Sequence, residues 1–171
     1  VVIGEFLPMD KLEAAVSEAV SALGSSSWER AARAIMTTDT QPKIASSQIT
    51  VDDQLITFTG IAKGPGMIKP DMATMLAFIA SDVLIERPVL KEMTKEISEK
   101  SFNRITVDGD TSTNDCFMLA CTSAVDMLPI KDTNESRYTK VKEGLVDLAK
   151  TLAQAIVRDG EGATKFVSVI V

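Results

Sequence analysis

Apolar residues recur at helical spacing at Leu12, Val16, Val20 and Leu23 and stop at Gly24. That pattern predicts an amphipathic helix, with Asp10 and Glu13 as a capping-box start and Gly24 as its stop. Ser27 is placed to cap a second, shorter helix through Met36. The period then changes to two. Ser46 to Val51 and Leu55 to Gly60 read as a strand pair turning at Asp52-Asp53. An apolar run from Thr74 to Ala80 suits a buried strand. Pro88 opens a helix to about Lys100 with Val89, Leu90, Met93 and Ile97 inward, and strands follow around Arg104 to Val107 and Cys116 to Ser123. The longest helix is expected from Glu135 to about Arg158. Its stripe of Tyr138, Val141, Leu145, Leu148, Leu152 and Ile156 reads as core packing. Helices alternating with strands, without internal repeats, predict an α/β layered body.

Composition narrows the partners. The 171 residues are 45% hydrophobic, enough for one sizeable core and one domain. A net charge of -6 argues against nucleic acid or an anionic membrane, which need clustered Lys and Arg. No run of about 18 uncharged apolar residues predicts a membrane span. Cys116 and Cys121 sit in one apolar stretch and read as buried reduced thiols, pointing to a reducing compartment.

The chemistry must work without histidine, since the chain has none. A Ser-His-Asp or Cys-His arrangement and a His-ligated metal are excluded. The acidic run Asp108-Gly109-Asp110 resembles a calcium loop, but Thr113 stands where the sixth-position Gly is needed and Leu119 where the twelfth-position Glu is needed. It reads instead as a tight loop held by Asp, Ser and Thr side chains. The segment Lys63-Gly64-Pro65-Gly66-Met67-Ile68-Lys69-Pro70-Asp71-Met72-Ala73-Thr74-Met75-Leu76 carries the strongest chemical signal. Pro65 and Pro70 fix φ and Gly64 and Gly66 permit positive φ, so a tight turn can deliver the Thr74 hydroxyl to the edge of a strand. Threonine's available base is its own α-amine, with a pKa of about 7.7 to 8.0, once the Ala73-Thr74 peptide bond is cut. On composition alone the same segment reads more simply as a surface hairpin loop entering a buried strand.

The run 63–76 closely resembles the processing site of the ornithine acetyltransferase family, also called bifunctional glutamate N-acetyltransferase/amino-acid acetyltransferase. VIGEFLP at 2–8, AIMTTDT at 34–40, SFNRITVDGDTSTND at 101–115 and DGEGATK at 159–165 resemble the same family in the same order. The resemblance covers essentially the whole chain. It implies an α-β-β-α sandwich of the self-processing N-terminal-nucleophile type. It also implies cleavage between Ala73 and Thr74, with residues 1–73 ending an α chain and 74–171 beginning a β chain. The two chains would stay together, as a heterotetramer.

The implied reaction moves an acetyl group from N-acetylornithine to glutamate through an acyl-enzyme on Thr74, in arginine biosynthesis. No cofactor is implied, although bifunctional members also accept acetyl-CoA as donor. The family's substrate contacts fall on Thr37, Lys63, Thr74 and Glu161. Lys63 would pair with the substrate α-carboxylate as a point charge. Glu161, between Gly160 and Gly162, would hold the α-amino group, and Thr37 would add a neutral hydrogen bond. Read without the family, Lys63 and Glu161 are solvated charges and Thr37 a turn or capping residue. The implied compartment is the cytoplasm, or the mitochondrial matrix in a eukaryote.

The chain departs from the family at its front. A Thr-Gly pair that lines the oxyanion hole immediately precedes Val-Ile-Gly in the family. Here the Gly position is Val1 and the Thr position falls before the first residue. Loss of one oxyanion donor costs about 10² to 10³ in turnover. With the apolar runs at Val1 to Ile3 and Phe166 to Val171, this leads to the expectation of a middle segment of a longer precursor, a poor catalyst or an inactive one by itself. The rival activity is a self-processing amidase or aminopeptidase of similar fold. Thr37, Lys63 and Glu161 together favour the transferase, because a hydrolase has no need to hold a second amino acid.

Overall fold

A computed structural model describes residues 5–68, 75–110 and 114–170. Thr74 and Ala73, together with Val1, lie outside the described residues.

Two helices, α1 (Met9–Ser21) and α2 (Trp28–Ala34), precede a hairpin of β1 (Lys43–Val51) and β2 (Gln54–Lys63). Strand β3 (Leu76–Ser81) follows. Helix α3 (Arg87–Lys100) and a short 3-10 turn at Phe102–Arg104 lead to β4 (Cys116–Cys121), and α4 (Ser136–Arg158) closes the order. The four strands form one sheet in sequence order. β1, β2 and β3 are antiparallel neighbours, whereas β3 and β4 run parallel, joined by the crossover through α3.

The hairpin forms where the sequence placed it because Asp52 and Asp53 both take positive φ, 49° and 61°. That is the backbone of a two-residue type I′ turn, whose twist matches the strands it joins, and Asp tolerates it better than branched residues do. From that turn the register runs back to Lys43 opposite Ala62, so both strands are longer than the apolar alternation alone predicts.

One face of the sheet is covered. Ile56, Phe58 and Ala62 of β2, Ala77 and Ile79 of β3, and Tyr138, Val141, Leu145, Leu148, Leu152 and Ile156 of α4 are all buried in one core with Val89, Met93 and Ile97 of α3. Helix α4 comes very close to β2. A methyl built on Gly144 would lie 2.6 Å from the Phe58 ring, and one on Gly60 would lie 3.0 Å from Leu152. The mixed α/β class therefore stands, with a helical layer on a sheet.

Several local expectations differ. The N-cap of α1 is Pro8 and no side chain caps it, so the Asp10/Glu13 capping box is absent. The stripe of α1 is present, but none of its residues is buried. Ser27 does occupy the N-cap of α2, yet its hydroxyl donates to the Ala22 carbonyl, and α2 ends at Ala34, before Met36. No strand forms over Arg104 to Val107. Instead the Val107 amide and the Thr106 hydroxyl both donate to one carbonyl, that of Ile68, at 2.8 Å each. Those donors serve a loop contact and are lost to a ladder. Cys116 and Cys121 are free, and their spacing of five places them on opposite faces of β4.

Candidate functional site

The ends of three strands meet at one edge of the sheet. Lys63, the last residue of β2, pairs with Leu76, the first of β3, and Leu76 pairs with Cys116, the first of β4. One residue upstream on each of the latter two, Met75 donates its amide to Asp115 Oδ1 at 2.7 Å, and its carbonyl accepts the Cys116 amide at 3.0 Å. Met75 follows Thr74 directly in the chain. The rigid edge to which the sequence assigned the nucleophile is thus anchored at its first described residue by the Asp115 carboxylate.

Lys63 is 8% exposed. Among the described residues no carboxylate lies within 4.0 Å of its ammonium. An ammonium on a mostly buried residue, without a close counter-ion among the described residues, is an electrostatic opening for an anion. Its field reaches Asp115, but burial dominates there and pushes the Asp115 carboxyl up to about 6, against the pull of the Met75 N–H and of Lys63. Asp115 Oδ2 is buried with no hydrogen-bond partner among the described residues.

After Lys63 the chain enters the glycine-proline loop. Gly64 takes a φ of 142°, open to glycine, and Met67 a left-handed 57°. The loop is held from two sides. Asp108 accepts the Met67 amide at 2.5 Å and the Ile68 amide at 3.0 Å, and these bonds, with that from Asp110 N, outweigh burial and hold its carboxyl below the usual range. Glu161 donates its amide to the Pro65 carbonyl at 2.7 Å. A methyl built on Gly66 would lie 3.1 Å from Glu161 Oε2, so the missing side chain at 66 leaves the place that the glutamate occupies.

Thr37 is joined to the same region through Asp39. Its amide donates to Asp39 Oδ2 at 3.2 Å, while Asp39 Oδ1 accepts the Gly64 amide at 2.9 Å and the Lys43 ammonium at 2.6 Å. Lys43 also reaches Asp159 Oδ2 at 2.5 Å, two residues before Glu161. Burial raises both carboxyls, but the Lys43 bond and the amide bonds prevail and hold Asp39 and Asp159 below the ordinary carboxylate value. The structure therefore brings Thr37, Lys63 and Glu161 into one hydrogen-bonded frame. Thr74, the fourth predicted residue, lies outside the described residues.

Sequence reasoning passed over Asp39, Lys43, Asp108, Asp115 and Asp159 as site residues, although four of the five stand inside the quoted motifs. Lys43 stands in none of them. Its signal was a lone cation in the period-two series Lys43, Ala45, Ser47, Ile49, Val51, the face that meets α4, where a charge requires a buried partner.

Other features do not converge here. A cavity of about 540 Å³ between Lys100, Arg104, Val157 and Phe166 contains none of the predicted residues. Among the described residues no group of three or more His, Cys, Asp or Glu could hold a metal ion, and no helix is long and apolar enough to cross a membrane.

Comparison with known proteins agrees with the family resemblance. The ArgJ family model matches residues 1–171. The arginine biosynthesis bifunctional protein ArgJ of Neisseria gonorrhoeae is 55% identical over 169 residues, 98% of this chain and 41% of that protein. Its namesake from Pseudomonas syringae pv. tomato is 51% identical over 168 residues, 98% of this chain and 42% of the relative. The chain thus spans about two-fifths of the length of these curated relatives. Among solved structures, ArgJ from Bacillus halodurans aligns with a TM-score of 0.49 at 35% identity, over 52% of this chain and 41% of that one.

Proposed function

The chain belongs to the ArgJ family, and we propose that it carries the nucleophile and much of the amino-acid site of an acetyltransferase that moves an acetyl group from N-acetylornithine to glutamate. The relatives named above act in arginine biosynthesis, and the proposed reaction is a step of that kind. The observation that carries the reading is Lys63, a mostly buried residue whose ammonium has no close counter-ion among the described residues and whose peptide to Gly64 is held in one frame with Thr37 and Glu161. The Lys63 ammonium fits the α-carboxylate that donor and acceptor share, and the Glu161 carboxylate fits the α-nitrogen, acylated in the donor and free in glutamate.

In this reading the Ala73-Thr74 bond is cut first, which frees the Thr74 α-amine. The amine takes the Thr74 hydroxyl proton as Oγ attacks the acetyl carbonyl. The amide C–N bond then breaks, and the same proton leaves with the ornithine amine. Glutamate enters with its α-carboxylate on Lys63 and its amine displaces Thr74 Oγ from the acetyl ester, restoring the hydroxyl. Acetyl-CoA could replace N-acetylornithine in the first half, and no cofactor takes part. After the cut, the α and β chains are held by the β2/β3 pairing, whose strands lie on either side of residue 74. A heterotetramer of these chains, in the cytoplasm, completes the proposal.

The test is a transfer assay on a protein of full family length that carries this chain. With labelled N-acetylornithine and glutamate, label should move to N-acetylglutamate. Label released as free acetate at the same rate with or without glutamate would overturn the transferase in favour of a hydrolase.

A further inference from the structure

Beneath the site lies an ion group that the proposed reaction does not use. The Lys43 side chain is 3% exposed and bridges Asp39 and Asp159, whose side chains are 0% and 11% exposed. Asp159 also accepts the Thr40 amide at 2.9 Å and the Thr40 hydroxyl. Two carboxylates thus face one ammonium, and the backbone amides of Thr37, Thr40 and Gly64 with the Thr40 hydroxyl supply the remaining donors.

We infer that Lys43 is a positioning residue, a clasp that holds the three substrate-contact segments in register across the processing cut. The inference rests on the reading of Thr37, Lys63 and Glu161 as substrate contacts. Each arm of the clasp ends beside one of them. Asp39 fixes the Thr37 amide and, through the Gly64 amide, the peptide that follows Lys63. Asp159 closes α4 as its C-cap and starts the turn that carries Glu161. Lys43 and Asp39 precede residue 74 and Asp159 follows it, so once the Ala73-Thr74 bond is cut this contact joins two chains. Lys43 also sits at the C-terminal end of α4, where the helix dipole favours a cation.

The choice of charges here argues for geometry over bulk stability. A buried ion pair stabilises a fold little better than well-packed apolar residues of the same volume. What it adds is direction, because each carboxylate oxygen takes its donors along defined lines. A clasp of this kind acts through Lys63 and Glu161, and itself touches no substrate. Its loss therefore falls on substrate affinity more than on turnover.

The variant Asp159→Asn keeps the side-chain shape and an acceptor for the Thr40 amide while removing the charge that meets Lys43. Thr40→Val keeps every charge and removes one hydroxyl bond, and serves as the milder second variant. Both are measured in a protein of full family length, with cleavage at Ala73-Thr74 read by mass, the melting temperature, and KM and kcat for N-acetylornithine. The expected result for Asp159→Asn is complete cleavage, KM raised about tenfold or more, and kcat within about threefold, with Thr40→Val showing a smaller KM rise of about threefold. An unchanged KM in both folded variants would overturn the clasp. So would a fall in kcat that tracks the loss of folded protein with no change in KM. Lys63→Ala in the same assay separates the two claims: if its KM is unchanged, the substrate-contact reading itself fails, and the clasp with it.

Discussion

Asp115 holds the amide of Met75 at 2.7 Å, and Met75 is the residue immediately after the proposed nucleophile Thr74. A carboxylate anchored one peptide from the reacting group, and lifted to about 6 by burial, ties the pH response of the fold to that of the site.

The sign follows from linkage. A carboxyl whose folded pKa lies above its ordinary value of 3.8 disfavours the native state when ionised. That penalty is absent below about pH 4, grows as pH rises, and is fully present above about pH 6. Asp39, Asp108 and Asp159 act in the opposite sense, their stabilisation present above the ordinary carboxylate value and lost as pH falls through their lowered folded values. Their window lies below about pH 4, apart from that of Asp115. Asp115→Asn should therefore flatten the decline of melting temperature between pH 4 and pH 6 that the unsubstituted protein shows. An identical pH profile in the two proteins would refute the assignment.

Lys63 should separate binding from stability. Replacing it with Met puts an apolar side chain at a mostly buried position and breaks no close ion pair among the described residues, so the melting temperature should hold or rise. The KM for N-acetylornithine should rise roughly 10- to 100-fold, on the scale of a charge-assisted hydrogen-bond pair at about 1.5 to 3 kcal/mol. Steady-state kinetics beside a thermal melt decides it. A lowered melting temperature with an unchanged KM would make Lys63 a structural residue.

Gly66 should be limited by what lies above it. A methyl there meets Glu161 Oε2 at 3.1 Å, the far end of a flexible side chain, so Gly66→Ala should move Glu161 at little expense to the fold. Gly66→Val, with more bulk, should raise KM several-fold further, with the melting temperature nearly constant. Equal KM values in the wild type and both variants would detach Glu161 from substrate binding.

Gly144 is limited by the core. A methyl at 144 would stand 2.6 Å from the fully buried Phe58 ring, which is packed in the core, and 3.2 Å from the partly buried Ile49. Overpacking costs about 1 to 3 kcal/mol, and the helix gains about 1 kcal/mol from Ala over Gly. Gly144→Ala should lose about 1 kcal/mol net in chemical denaturation. A gain in stability would show that α4 can move off the sheet.

The contrasts between sequence and structure have physical origins. Helix α4 was legible because six apolar residues at helical spacing all face one core, and the β1/β2 hairpin because Asp52-Asp53 is a turn between alternating runs. The stretch from Arg104 to Val107 misled because apolar alternation does not reveal where hydrogen bonds go, and here Thr106 and Val107 serve Ile68. The same limit hid the clasp. Lys43 and Asp159 are 116 residues apart, and only the register of β1 against α4 brings them together. Thr37, Lys63 and Glu161 were singled out through motif resemblance. Each alone is an ordinary polar residue, and it is Asp39, Asp159 and the glycine-proline loop that bring them together.

The most direct test of the central claim is the intact mass of a protein of full family length carrying this chain, under denaturing conditions, before and after exposure to N-acetylornithine. The account predicts two chains divided between Ala73 and Thr74, with one acetyl group added to the chain that begins at Thr74, and a single unacetylated chain in Thr74→Ala. Acetyl transfer by the Thr74→Ala variant, or an acetyl group carried by any other residue, would contradict it.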